Sequence, residues 1–153
     1  LRGIVSDWKF GGHPEWASWL GRRLLDQLPD RLPASPWDGL VPVPLHPDRL
    51  EERGFNQADQ LAEALSDDLG IAVRPVIEKH QRTRPQSELG RGERLENLAG
   101  CFRLRGSSRQ VAHRSLLIVD DVYTTGSTLR TLGGVLLEAG AEQVAGLVLA
   151  RST

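Results

Sequence analysis

A short apolar run that ends in two aspartates constrains the fold of this chain more than any other feature. The run covers 115–119 and is followed by Asp120, Asp121, a turn rich in hydroxyl groups and a helical pattern over 127–139. Continuous apolar runs of this length are typical of central parallel strands buried on both faces. A second apolar run over 144–150 completes a strand–helix–strand unit. This order predicts an α/β sheet with right-handed crossovers.

Apolar spacing in the rest of the chain predicts two more helices and three more strands. The helices are expected at 13–28 and 58–69, and the strands at 38–45, 71–77 and 101–104. Pro42 and Pro44 cannot donate to a β ladder, so we expect the first of these strands to be short or bent, with a loop at 46–55. Periodicity is weak over 81–100, which predicts a long loop of the kind that is often functional.

The composition fits one globular domain over 1–153. The chain has 153 residues, of which 39% are hydrophobic, and Cys101 is its only cysteine. A single cysteine excludes an intramolecular disulfide and a cysteine-rich zinc site. No apolar run is long enough to span a membrane and no signal peptide is recognisable, so we expect a cytoplasmic setting. Because methionine is absent, we also expect a trimmed chain that lacks an N-terminal segment.

Charge is distributed unevenly along the chain. The segment 79–114 contains nine Lys or Arg and three Glu, a net charge of +6, whereas the whole chain carries −1. A local cationic segment is typical of proteins that bind an anion, such as pyrophosphate or a nucleic-acid backbone. Ordinary solvated arginines on a loop explain the same pattern equally well.

The residues after the apolar run have the chemistry of a sugar-phosphate site. Ligands of open α/β sheets bind beyond the carboxyl ends of the strands, where Asp120 and Asp121 can accept hydrogen bonds from sugar hydroxyls. The turn that follows offers hydroxyl donors, a glycine and the positive end of a helix, which favour a phosphate group. Its residues are Thr124, Thr125, Gly126, Ser127 and Thr128. An ordinary helix cap would explain one hydroxyl residue, but not four.

This segment, 116–128, resembles the motif of type I phosphoribosyltransferases that binds 5-phosphoribosyl 1-pyrophosphate (PRPP). The resemblance implies a central, mostly parallel sheet flanked by helices, with a flexible loop over the site. It further implies that Asp120 and Asp121 are catalytic and orient the ribose, while the turn from Thr124 to Thr128 holds the 5′-phosphate. Tyr123 stands where the motif often has a small or aliphatic residue. The core that binds PRPP would then cover 38–153, after an N-terminal strand and helix segment at 1–37.

A second block narrows the resemblance to the ComF family of competence-associated, phosphoribosyltransferase-like proteins. The block comprises 41–47, Arg49 and 53–57, and further similarity lies in 82–86 and at Leu89, Arg94, Asn97 and Phe102. The resemblance implies that pyrophosphate is bound by Arg49, Arg53 and Asn56. It places Arg82, Arg84, Arg91 and Arg94 in the flexible loop, and it implies Mg²⁺ bound with PRPP. ComF proteins usually carry an N-terminal four-cysteine zinc module, and with a single cysteine we expect that module to be absent here, either cut away or lost.

Two functions follow from the resemblance. In the first, the chain transfers a phosphoribosyl group to an acceptor that the sequence does not identify, releases pyrophosphate, and serves competence and DNA uptake. In the second, it is a non-catalytic module that binds PRPP and single-stranded DNA or DNA-uptake proteins. Either could act as a homodimer. The run 118–121 also resembles the first strand of a receiver domain, but too few residues follow it to complete that fold.

Overall fold

The computed structural model describes residues 8, 15–28, 36–80 and 100–151. Its helices are α1 (Glu15–Leu25), α2 (Pro47–Arg53), α3 (Gln57–Leu69) and α4 (Ser127–Glu138), with a short 3₁₀ turn at Ser108–Gln110. Its strands are β1 (Gly39–Pro42), β2 (Ile77–Lys79), β3 (Phe102–Leu104), β4 (Ser115–Tyr123) and β5 (Gln143–Arg151). Within these ranges every helix is too short or too polar to cross a membrane.

The three strands β1, β4 and β5 form a parallel sheet with β4 in the centre. Gly39 pairs with Leu116 on one side of β4, and Ser115 pairs with Gln143 on the other. Beyond β1, a single parallel bridge joins Leu40 to Val73. The predicted parallel α/β sheet is therefore confirmed, with the apolar run in its middle strand.

Alternate side chains of β4 face two separate apolar layers. Leu116 and Ile118 pack in a cluster with α4, whereas Leu117 and Val119 pack in a cluster with α1 and α3. The helical residues buried in these layers include Leu132 and Leu136 of α4, Leu20 of α1, and Leu61 and Leu65 of α3. Both faces of the central strand are thus covered by helices, which explains why its sequence is continuously apolar.

The predicted strand at 71–77 is wrong for most of its length. The chain bridges the sheet at Val73, bends at Pro75, and pairs again only from Ile77. The bend places the amide of Val76 2.8 Å from the carbonyl of Arg74. Proline has no amide hydrogen for a ladder, so the segment is divided between the main sheet and the β2–β3 pair.

The antiparallel pair β2–β3 joins the two ends of the predicted long loop. Ile77 pairs with Leu104 and Lys79 with Phe102, and the amide of His80 donates to the carbonyl of Cys101 at 3.0 Å. Cys101 itself is buried in the core. Residues 81–99, with Arg82, Arg84, Arg91 and Arg94, lie outside the described residues.

The predicted loop at 46–55 is largely a helix, α2. His46 caps it, since its Nδ1 accepts from the amide of Asp48 at 3.3 Å, and Pro47 occupies the first turn. Gly54 ends the helix in the left-handed region at φ 78°. Proline at the first position and glycine past the end are ordinary helix boundaries, so the sequence contained this signal. The helix is only seven residues long and buries no side chain, so it has no apolar stripe.

Candidate functional site

β4 extends further than the apolar run that predicted it. Pairing with β1 stops at Pro42 and Val119, and the last backbone bond on that side joins the amide of Val43 to the carbonyl of Val119 at 2.9 Å. Pairing with β5 continues as far as Tyr123 and Arg151. The last four residues of β4 therefore have a neighbouring strand on one side only. The aspartates lie on this strand, not after it.

A cleft of about 170 Å³ opens where β1 leaves β4. Its polar wall residues come from the start of α3, the end of α2 and the end of β4. They are Arg53, Asn56, Gln57, Asp120 and Asp121, with Val43, Leu45 and Ala58 as apolar neighbours. The fold thus brings together residues from two separate blocks of sequence. The predicted pyrophosphate residues Arg53 and Asn56 share this cleft with the predicted ribose residues.

Asn56 fixes the shape of the cleft. Its Nδ2 donates to the carbonyl of Val43 at 3.0 Å, and its Oδ1 accepts from the amide of Ala58 at 3.2 Å as the cap of α3. One side chain therefore ties the exit of β1 to the start of α3. Arg49, the third residue predicted to bind pyrophosphate, is exposed on α2 and is not part of the cleft wall.

Gln57 is a wall residue that lies in the resembling block 53–57 but is not among the residues predicted to bind pyrophosphate. The residue is only 2% exposed, and its Oε1 accepts from Nη1 of Arg53 at 3.3 Å. Its Nε2 is buried and has no hydrogen-bond partner among the described residues. The only sequence signal is its place beside Asn56 in the 53–57 block. A glutamine in the first turn of an amphipathic helix is otherwise an ordinary surface residue.

The turn at 124–128, called the Gly126 turn below, begins α4. Gly126 adopts φ 73°, and the Oγ1 of Thr125 lies 2.8 Å from the Oγ of Ser127 and accepts from the amide of Ser127 at 3.4 Å. Thr124 is exposed and Thr128 is half-buried. Gly126 makes no side-chain cap bond to the first turn of α4, where Thr125 accepts from the amide of Ser127. The start of a helix is a position that favours an anion.

Tyr123 covers the Gly126 turn. A Cβ built on Gly126 would lie 2.6 Å from the phenolic oxygen of Tyr123. The guanidinium of Arg151 lies 5.6 Å from the centre of the Tyr123 ring. The cavity left at the turn is about 10 Å³, which is enough for one water molecule. The ring of Tyr123 therefore narrows the space beside Gly126.

Asp120 forms part of the wall of both the cleft and the cavity at the Gly126 turn. Its Oδ1 accepts from the amide of Asp121 at 2.9 Å, which orients the carboxylate. The two cavities are therefore adjacent, with Asp120 between them. One extended ligand could contact both.

The acidic pair suits a metal ion shared with a ligand. The described part of the chain has no group of three or more His, Cys, Asp or Glu residues that could hold a metal by itself. Mg²⁺ usually keeps several waters and binds through one or two carboxylates together with phosphate oxygens. Asp120 and Asp121 at the cleft fit that role, in which the ligand and water supply the remaining oxygen atoms.

Comparison with known protein families decides the classification. Residues 50–152 match the family described as phosphoribosyl transferase domain. The chain belongs to this family. The match covers the Gly126 turn, β4 and every residue of the cleft wall except Val43 and Leu45.

Two curated relatives narrow the classification. The chain is 36% identical to competence protein F of Haemophilus influenzae over 116 residues, which are 75% of this chain and 51% of that protein. It is 37% identical to DNA utilization protein YhgH of Salmonella typhimurium over an alignment 153 residues long, which covers 92% of this chain and 63% of that protein. The resemblance to the ComF family is confirmed, and the chain spans about half to two thirds of the length of these relatives.

Solved structures agree on the fold. Adenine phosphoribosyltransferase from Saccharomyces cerevisiae superposes with a TM-score of 0.58 and covers 94% of this chain and 72% of that one. Sequence identity is 14%, so this likeness concerns the fold alone. The type I phosphoribosyltransferase fold that the motif implied is therefore confirmed.

Proposed function

We propose that this chain binds PRPP, with the ribose beside Asp120, the pyrophosphate in the cleft and the 5′-phosphate at the Gly126 turn. The supporting observation is the position of Asp120 in the walls of both cavities. PRPP carries a phosphate on each side of its sugar, so it needs two anion sites separated by a group that accepts hydrogen bonds from hydroxyls. We assign the pyrophosphate to the cleft, the ribose to Asp120 and the 5′-phosphate to the turn, which lie in that order.

We further propose a phosphoribosyl transfer at this site. The bond from ribose C1 to pyrophosphate breaks, and an acceptor nucleophile forms the new bond to C1. Arg53 donates hydrogen bonds to the leaving pyrophosphate and stabilises the charge that develops on it. Asp120 and Asp121 hold the ribose hydroxyls, so that C1 stays in position. When bound, Mg²⁺ would neutralise part of the pyrophosphate charge, held by Asp120 or Asp121 together with ligand oxygens.

The names of the relatives support a role in DNA uptake or utilisation. Competence protein F and DNA utilization protein YhgH are the proteins that this chain resembles. We propose that the chain acts in such a process, with an acceptor that the site does not identify. Contacts to single-stranded DNA through 79–114 have less support, since Arg103 and Arg105 both pair with Glu78.

A thermal-shift titration tests PRPP binding. We expect PRPP with Mg²⁺ to raise the melting temperature of the full chain, because a ligand at a hundredfold excess over its Kd adds about 2.7 kcal/mol. Asp121→Asn should lose most of this rise. Asp67→Asn, a change at an exposed position on α3, should keep it. A wild-type chain whose melting temperature does not respond to PRPP would refute the proposal.

A second experiment separates transfer from binding. Pyrophosphate release from PRPP should be measured across a panel of acceptors, beside binding of single-stranded DNA at several salt concentrations. Release with one acceptor class supports the transferase. Salt-sensitive DNA binding without release would support the non-catalytic alternative instead.

A further inference from the structure

We infer that the outer edge of β5 is a dimer interface, where β5 pairs antiparallel with β5 of a second copy of this chain. β5 lies at the end of the parallel sheet, and within the described ranges it pairs with β4 alone. A strand at the end of a sheet presents unpaired N–H and C=O groups along one side, which can pair with another strand. This surface lies outside the wall of the cleft, so the inference does not depend on PRPP binding.

β5 lacks the features that protect the shorter strands of the β2–β3 pair. β2 and β3 are three residues long and carry the charged side chains Glu78, Lys79 and Arg103. β5 is nine residues long and contains no proline, and its residues 144–150 carry no charge. Its register with β4 has no bulge. Proteins usually protect an edge by shortness, charge, proline or a bulge, so an edge without them indicates that another strand covers it.

The side chains along β5 are only partly covered in a single copy. Leu147 is buried, whereas Val144 and Val148 are half-buried. In β4, which has a strand on both sides, residues 116–119 are each no more than 1% exposed. A further strand at the edge of β5 would cover its remaining apolar surface, and burial of that surface stabilises the association.

The hydrogen bonds of β4 indicate which residues of β5 face outward. The carbonyl of Val119 accepts on the β1 side, so the odd-numbered residues of β4 bond toward β1 and the even-numbered residues toward β5. In a parallel ladder, Leu116 bonds to the residues on either side of its aligned partner Val144. The odd-numbered residues of β5 therefore bond to β4, and the even-numbered residues direct their N–H and C=O groups outward. The even-numbered residues are Val144, Gly146, Val148 and Ala150.

The sequence of β5 is complementary to itself in an antiparallel pair whose twofold axis passes beside Leu147. In this register Val144 is aligned with Ala150 of the other copy, and Gly146 with Val148. Each of these pairs joins two residues whose backbone groups face outward, so each can exchange two hydrogen bonds. Each pair also sets a small side chain against a larger one, which allows the two strands to pack closely.

The pairing closes after two copies. At the other end of the main sheet, the outer side of β1 is already bridged by Val73. The twofold contact uses the same edge on both copies, and a contact of this type gives a closed dimer and not a filament. It joins the two three-stranded sheets into one continuous sheet. Because the strands of the two copies run in opposite directions, the two clefts open at opposite ends of that sheet.

Disulfide cross-linking of the full chain tests the register, in a background that carries Cys101→Ala. Leu147→Cys places two thiols across the axis, in a pair without backbone hydrogen bonds whose Cα atoms are about 4.5 Å apart. This separation lies within the range of a disulfide, so we expect a covalent dimer after mild oxidation. Because Leu147 is buried, a double variant, Ala145→Cys with Leu149→Cys, provides a second test. Its cysteines are aligned between copies and should also cross-link.

Ala145→Cys alone is the matched control. Residue 145 lies on the same face of the same strand as Leu147. In the proposed register, the two copies of residue 145 are about 13 Å apart along the strands, too far for a disulfide. We therefore expect no covalent dimer. Cross-linking of the control to the same extent, or its absence in both test variants, would overturn the register.

Sedimentation equilibrium measures the dimer without a cross-link, and the wild-type chain should have twice the mass of one copy. Ala150→Pro removes an outward N–H group while keeping a small side chain. Two interchain hydrogen bonds are lost per dimer, so its dissociation constant should rise on the order of tenfold to hundredfold. Val144→Pro acts on the same aligned pair and covers the case in which Ala150→Pro does not fold.

Leu137→Lys is the control for association through another apolar surface. Leu137 lies on α4 and is 51% exposed, and the change should leave the dissociation constant of the dimer unaltered. A wild-type chain that stays monomeric at every concentration would refute the interface. A dimer that is lost in the Leu137 variant and kept in the folded proline variants would refute it as well.

Discussion

The cleft and the Gly126 turn are neighbouring parts of one site, yet they differ in how ready they are for a ligand. The cleft has a volume of about 170 Å³ and a buried donor without a partner among the described residues. The turn carries the more specific sequence motif, but its cavity is about 10 Å³ because Tyr123 lies over Gly126. A recognisable motif therefore does not by itself guarantee an accessible site.

The difference has a physical origin in how each part is held. Asn56 ties the exit of β1 to the start of α3 through two hydrogen bonds, so the cleft wall is fixed by the fold. At the turn, Gly126 has no side chain to exclude its neighbour, and the ring of Tyr123 fills the space beside it. Because Gly126 has no side chain, the space in which we propose a phosphate is also open to the ring of Tyr123.

The largest effect is expected from Gly126→Ala. A Cβ at this position would meet the Tyr123 ring and stand where the phosphate is proposed to bind. Loss of about two charge-assisted hydrogen bonds predicts PRPP binding weaker by on the order of a hundredfold. A left-handed alanine also costs roughly 1–2 kcal/mol of folding free energy. Calorimetric titration with PRPP and chemical denaturation measure the two effects separately.

Gly70→Ala is the control for the backbone effect. Gly70 ends α3 at φ 68°, and a Cβ added there would have no atom within 4 Å, so the variant carries the same kind of backbone strain far from the site. It should lose similar stability and keep the wild-type affinity. If both variants weakened PRPP binding equally, stability and not the turn would be responsible.

A smaller effect, within the cleft, is expected from Arg53→Gln. Arg53 lies in the cleft wall and bonds to Gln57, so its loss should weaken pyrophosphate binding by about tenfold, the worth of one charge-assisted hydrogen bond. Arg49→Gln removes the same charge from the exposed face of the same helix. Competition titrations with pyrophosphate should show little change in the affinity of the Arg49 variant. Equal losses would instead indicate that both arginines contact the ligand, as the family resemblance implied.

Sequence reasoning predicted the elements whose patterns are local and regular. The apolar run of β4, the helical spacing of α3 and the helix start after Gly126 each follow from neighbouring residues, and all three are present. The family resemblance implied that Arg53 and Asp120 contact one ligand, and both residues lie in the wall of the cleft.

What the sequence could not predict depends on contacts between distant parts of the chain. The burial of Gln57 arises because the start of α3 packs beside the end of β4, and no spacing rule expresses that contact. The helix α2 was missed because it has no apolar stripe. The position of Tyr123 over the turn depends on a side-chain rotation, which residue type alone does not determine.

The smallest effect is expected from Tyr123→Leu. The informative result is whether ribose 5-phosphate binds more tightly or more weakly. If the ring must leave the Gly126 turn before a phosphate binds, the wild type loses its contact with Arg151, worth about 0.5–1 kcal/mol for an exposed pair. Removing the ring should then strengthen ribose 5-phosphate binding about two- to fivefold. Trp19→Leu is the control, since it removes the pair between Arg23 and Trp19 away from the site and should change nothing. Weaker binding in the Tyr123 variant would show that the phenol contacts the ligand, and the turn would then need its ring.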